Sequence, residues 1–146
     1  MAPIVSIVEI DRPPEEVFAY VTDPTRFPEW QHDVRGVRID GAGPYAVGTR
    51  FTTTRRIGPS DRDMTQEVAA VEFPYRWAVR AVDGPVRPSA DVTVEPLDGG
   101  ARSRVTFALD FEGHGAGELL APMVRRMARR QGPRSYRNLK ELLEKG

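Results

Sequence analysis

Residues 115–146 read GAGELLAPMVRRMARRQGPRSYRNLKELLEKG, and the rest of the chain is organised around them. On a helical wheel Leu120, Met123, Val124, Met127, Gln131 and Leu142 gather on one side, with Ala128 and Leu139 at its margin. Arg125, Arg126, Arg129, Arg130, Arg134 and Arg137 take the other side. The pattern predicts one long amphipathic helix, with an apolar stripe laid on a curved sheet and an arginine face in water. The flexible Met123 and Met127 suit a helix that covers an irregular cavity, though methionines in such a stripe are more often plain core. Pro122 and Gly132-Pro133 each weaken backbone hydrogen bonding, which predicts kinks near both.

A length of 146 residues predicts one domain spanning 1–146, large enough for a real core. The 21 basic and 21 acidic residues balance, so overall charge offers no argument for a nucleic-acid partner. Lys140 and Lys145 are the only lysines, and the heavy use of Arg, Ala, Gly and Pro fits a GC-rich bacterial genome. The absence of cysteine excludes disulfides, thiolate metal sites and a cysteine nucleophile together. The N-terminus lacks the basic and apolar regions of a signal peptide. No run approaches bilayer length, so stable membrane insertion is not expected and a cytoplasmic location is.

Outward from the last helix, Ile4 to Ile10 is a β-branched run that predicts a first strand. Asp11-Arg12-Pro13-Pro14 stops it. The proline pair and the acidic Glu15 and Glu16 then set up a short helix with Val17, Phe18 and Val21 on its apolar face. Asp23-Pro24 separates this from a second short turn carrying Phe27 and Trp30. Six strands follow, divided by turn signals at Gly41 to Pro44, Gly58-Pro59, Phe73-Pro74, Asp83-Gly-Pro85 and Asp98 to Gly100. Alternation puts Val105, Phe107, Leu109 and Phe111 on one face of the last strand; Ala90, Val92 and Val94 do the same in the strand before it. Tyr75, Trp77, Val79 and Ala81 are assigned inward in the fifth strand. In the fourth the inward set is Met64, Gln66, Val68 and Ala70, with Val71 breaking parity as a bulge would. In the third, Phe51, Thr53, Arg55 and Ile57 are assigned inward. A slip of one residue there turns Arg50, Thr52, Thr54 and Arg56 inward instead.

The order of strand, two short helices, six strands and long terminal helix resembles the START-like superfamily, the α+β helix-grip fold. In particular the chain is similar to the bacterial polyketide cyclase/dehydrase and lipid-transport family. The resemblance rests on Phe18-Ala-Tyr-Val-Thr-Asp-Pro24, Phe27-Pro-Glu-Trp30, Val47-Gly-Thr-Arg-Phe51 and Tyr75-Arg-Trp77. Asp98-Gly-Gly100 before a strand and Asn138-Leu-Lys-Glu-Leu-Leu-Glu144 also fit. It implies a seven-stranded antiparallel sheet, related in fold to Bet v 1, wrapped around the last helix with a hydrophobic cavity between them. Members bind lipids, sterols, aromatic polyketides or hormones, and some catalyse cyclisation or dehydration.

A cavity of this kind is mostly apolar with a few placed polar groups. The expected lining is Trp30, Phe51, Thr53, Arg55, Gln66, Tyr75, Trp77, Val79, Val92, Phe107, Met123 and Met127. Trp30 either offers its π-face to a ring ligand or anchors the short helices to the sheet. Arg55, if inward, needs an anionic partner. With only His32 and His114 and no ligand spacing between them, no metal is expected, and no cofactor either. The serines lack a nucleophile elbow, and Gly41 to Gly48 lacks a phosphate-loop pattern. The leading expectation is binding of a small hydrophobic, lipid-like or aromatic polyketide-like molecule. The alternative is an aromatase/cyclase or dehydratase, for which Arg55, Gln66 and His32 are the nominated groups. A third is a non-catalytic interaction domain with a filled core. Self-association as a homodimer stays open.

Overall fold

The computed structural model describes residues 3–41, 43, 45–57 and 59–145. Strand β1 (Ile4–Ile10) leads into helix α1 (Pro14–Val21), a 3-10 turn (Pro24–Arg26) and the one-turn helix α2 (Phe27–Trp30). Strands β2 (Val34–Asp40), β3 (Arg50–Ile57), β4 (Ser60–Glu72), β5 (Arg76–Ala81), β6 (Val86–Leu97) and β7 (Arg102–Gly113) precede helix α3 (Gly117–Lys145). The strands form one sheet in the order β1-β7-β6-β5-β4-β3-β2, every neighbour antiparallel. This is the α+β helix-grip architecture. Ala42, Pro44, Gly58 and Gly146, parts of two expected turns and the end of the expected helix, lie outside the described residues.

Local chemistry explains the entry of the chain into its short helices. Pro14 starts α1, Glu15 and Glu16 face its positive end, and Val17, Phe18 and Val21 are buried. Thr22 Oγ1 then donates to the Phe18 carbonyl (2.7 Å), and Asp23 Oδ1 accepts from the Thr25 amide (3.1 Å), which turns the chain toward α2. Phe27 and Trp30 are thereby set against the concave face of the sheet. Phe27 meets Trp77 and Phe51 edge-on, and Phe51 stacks on Trp77.

Inward parity holds across most of the sheet. Val105 and Phe107 on β7, Val92 and Val94 on β6, and Trp77, Val79 and Ala81 on β5 are buried. The register of β4 against β5 shifts between Val68 and Ala70. That bulge turns Val71, rather than Ala70, onto the core. Tyr75 is a correction: it sits in the turn before β5, 53% exposed, because β5 begins only at Arg76.

Helix α3 is the larger correction. The expected single helix is present and continues through both Pro122 and Pro133; what changes is the side of it that faces the sheet. Its buried residues are Gly117, Ala121, Arg125, Leu139 and Leu143. Leu120, Met123 and Leu142, placed on the core stripe by hydrophobicity, are exposed. Arg125, placed on the wet face, is 3% exposed and its Nη1 lies 3.0 Å from Asp110 Oδ1. The reason is distance. A Cβ built on Gly117 would stand 1.7 Å from the Pro85 carbonyl oxygen, so the helix start lies directly on the backbone of the β5–β6 connection. Such close approach selects the face that carries Gly117, Ala121, Ala128 and Gly132, not the face with the largest apolar side chains.

Candidate functional site

Small residues on α3 bring it close to the sheet, yet the curve of the strands leaves a cavity of about 200 Å³ between them. Its sheet wall comes from alternate inward positions: Arg55 and Ile57 on β3, Met64 and Gln66 on β4, Trp77 and Val79 on β5. Ala90 and Val92 on β6 and Phe107, Leu109 and Phe111 on β7 continue it. The helix contributes Val124, Met127, Ala128, Gln131, Gly132, Ser135 and Tyr136, and α2 contributes Phe27 and Trp30. Two residues at its margin also reach solvent, Arg56 at the end of β3 and Gln131 on α3.

One side of the cavity is aromatic. Phe107 and Tyr136 stack with ring centroids 4.1 Å apart and planes 15° from parallel. Trp30 tilts against both, at 6.1 and 6.4 Å. Trp30 is 3% exposed, packs between α2 and the sheet and forms part of the wall. Its indole Nε1 is buried without a hydrogen-bond partner among the described residues, as is Thr53 Oγ1. A donor left in that state costs about 1–3 kcal/mol.

The polar side is built on Arg55. Its Nη1 donates to Asp33 Oδ2 at 2.9 Å and its Nη2 to Gln31 Oε1 at 2.7 Å. The inward parity of β3 is thus the one that holds, and the anionic partner comes from the short loop after α2. Tyr136 stands close enough to feel this cation. Burial pushes its hydroxyl up to about 12, while the Arg55 charge pulls the other way. The phenol is therefore neutral at neutral pH and keeps its O–H as a donor.

Of the expected lining, Trp30, Arg55, Gln66, Trp77, Val79, Val92, Phe107 and Met127 are in the wall. Phe51 and Thr53 face inward but are fully buried, outside the wall. Tyr75 and Met123 are exposed, the first in a turn and the second because the helix face is rotated. His32 is exposed outside the wall, its Nε2 3.4 Å from Asn138 Nδ2. His114 lies 3.5 Å from Glu112, also outside it. Arg55 and Gln66 therefore share the cavity, and His32 does not join them. Sequence reasoning missed Tyr136, Gln31 and Asp33. The repeat of Gly and Ala at positions 117, 121, 128 and 132 was the available signal for Tyr136, since that spacing marks the close-packed face. Nothing in a single sequence tied Asp33 to Arg55. Among the described residues, no group of three His, Cys, Asp or Glu side chains comes together.

The sequence matches the family model described as polyketide cyclase / dehydrase and lipid transport over residues 1–144. Among solved structures the fold is similar to the Zhui aromatase/cyclase from Streptomyces sp. R1128, with a TM-score of 0.81 and 14% identity, covering 97% of this chain and 93% of that one. A START superfamily protein from Mycobacterium smegmatis gives 0.80 at 17% identity, covering 99% of each chain. A protein from Thermus thermophilus gives 0.76 at 17% identity, covering 95% of this chain and 94% of that one. At such identities the likeness is one of fold. No curated protein matches the sequence.

Proposed function

The chain belongs to the polyketide cyclase/dehydrase and lipid-transport family, and from that premise we propose that it binds a flat, one- or two-ring hydrophobic molecule in the cavity under α3. The observation that carries this reading is the size and lining of the cavity together. Its volume of about 200 Å³ is somewhat larger than a ~150 Å³ cavity that accepts benzene and smaller than the ~300–1,000 Å³ of sites for drug-sized ligands. An extended acyl chain is a poor fit. The stacked Phe107–Tyr136 pair and Trp30 supply π-surfaces for a ring. The neutral Tyr136 hydroxyl and the Gln66 and Ser135 side chains supply orientation at few points. A ligand acceptor that met Trp30 Nε1 after a small turn of the indole would also recover its missing hydrogen bond.

Binding is favoured over the cyclase or dehydratase reading by what stands beside Arg55. The guanidinium is already matched by the Asp33 carboxylate and Gln31, which reduces its capacity to stabilise a developing oxyanion. The nominated acid–base group, His32, lies outside the wall. The test is titration of the protein with 1-naphthol and, separately, with palmitate, read by tryptophan fluorescence and calorimetry. Saturable one-to-one binding of 1-naphthol, weakened when Met127→Trp fills the cavity, is expected. Tight binding of palmitate with none of 1-naphthol overturns the proposal.

A further inference from the structure

The outer face of α3 is unlike the rest of the surface. Leu119, Met123, Arg126, Arg130, Arg134 and Arg137 follow one another at spacings of three or four residues, so all six project on one side of the helix. Leu119 is 87% exposed and Met123 52%. The four arginines are exposed and make no ion pair or hydrogen bond with any described residue, although most basic side chains elsewhere in the chain are paired. Overall neutrality therefore hides a local concentration of unmatched positive charge. From Arg126 to Arg137 it extends roughly 17 Å along the helix axis at 1.5 Å per residue. Met127 and Gln131, which line the cavity, border this face.

We infer that this face docks reversibly on a bilayer rich in anionic phospholipid. A straight basic band suits a planar field of phosphates, and an exposed aliphatic end suits the boundary between headgroups and acyl chains. The arrangement also argues against an acidic protein partner. Protein interfaces place apolar residues at the centre of a polar rim, whereas here the apolar side chains lead and the arginines trail behind them. The helix would tip Leu119 and Met123 beneath the headgroups and lay the arginines along the phosphates. No described helix is long and apolar enough to cross a membrane, so this contact is peripheral. It holds the cavity-lining Met127 and Gln131 near the phase in which a hydrophobic ligand accumulates. The inference goes beyond the ligand proposal and stands or falls without it.

The experiment is co-sedimentation of the full chain with vesicles of phosphatidylcholine alone, or of equal parts phosphatidylcholine and phosphatidylglycerol. Binding to the anionic vesicles only, and its loss at high salt, is expected. Each arginine at such a surface contributes about fivefold, so R126E/R130E should weaken binding by about 25-fold or more. R35E/R38E makes the same charge change on strand β2 and should leave binding within about twofold. Leu119→Ser should weaken it severalfold, and decides the matter with the salt series if the arginine variant fails to fold. Equal binding to both vesicle types, equal loss in the two charge variants, or no vesicle binding overturns the inference. So does binding of an acidic polypeptide, probed with polyglutamate, in the absence of vesicle binding.

Discussion

Replacing Gly117 by alanine tests the close approach that orients the whole helix. The new Cβ would lie 1.7 Å from the Pro85 carbonyl oxygen, 2.3 Å from its carbon and 3.0 Å from its Cα. All three are backbone atoms and cannot swing aside. To restore even the shortest contact that real Cβ atoms make, 3.0 Å, the first turn of α3 must retreat by about 1.3 Å. Overpacking of that kind costs about 2–3 kcal/mol. The better helix propensity of alanine offsets less than ~1 kcal/mol of it at a first turn. The expected net loss is about 2 kcal/mol, or a fall of about 6 °C in Tm for a chain of this size. Urea unfolding followed by tryptophan fluorescence should show a lower midpoint with an unchanged slope. Gly132→Ala supplies the contrast. Its Cβ would meet only the Tyr136 side chain, nearest at Cε2 at 3.4 Å, so the variant should be as stable as the parent or gain about 0.5 kcal/mol. If the two variants respond alike, or Gly117→Ala is neutral, the explanation of the helix face is wrong.

Two further outcomes follow from the polar side of the cavity. Arg55→Met strands the Asp33 carboxylate, less than a quarter exposed, and should cost about 1–2 kcal/mol. Combining it with Asp33→Asn should cost less than the sum of the single changes by about 0.5–1 kcal/mol, and strict additivity in urea titrations would remove the pair from the account. Tyr136 should ionise near pH 12, read as phenolate absorbance, and still later in Arg55→Met, because the cation that pulls its pKa down is gone. Its folded pKa is raised above the ordinary 10, so the stability it contributes is complete below pH 10 and is lost as pH climbs through 12. A Tyr136 that titrates at 10 in the folded protein contradicts its burial.

Strand existence, strand parity and the two short helices were legible in the chain because they depend on neighbours in sequence. Phe107 and Leu109 alternate with polar residues on β7, and Pro14 with Glu15 and Glu16 marks a helix start, whatever the rest of the molecule does. The bulge after Val68 was readable for the same reason, as a break in a period of two. Arg55, Gln66, Trp77, Val79, Val92 and Phe107 reach the wall on that basis. Thr53 and Phe51 did not, since parity tells inside from outside but not cavity from core; Phe27 of α2 packs on the Phe51 ring, and its placement is a tertiary fact.

The terminal helix marks the boundary most clearly. From residues 115–146 alone came its existence, its length and its position as the last element, all properties of local hydrogen bonding and 3.6-residue spacing. Which side faces the sheet was decided only by tertiary contact. Hydrophobicity ranked Leu120, Met123 and Leu142 inward, but the backbone at Pro85 admits no side chain at Gly117, and Asp110 supplies a partner that makes Arg125 tolerable in a buried position. Distance between backbones and the pairing of one buried charge outweighed the burial of three larger apolar side chains. That same rotation places Tyr136 in the cavity and turns the unpaired arginines, with Leu119 and Met123, toward the outside.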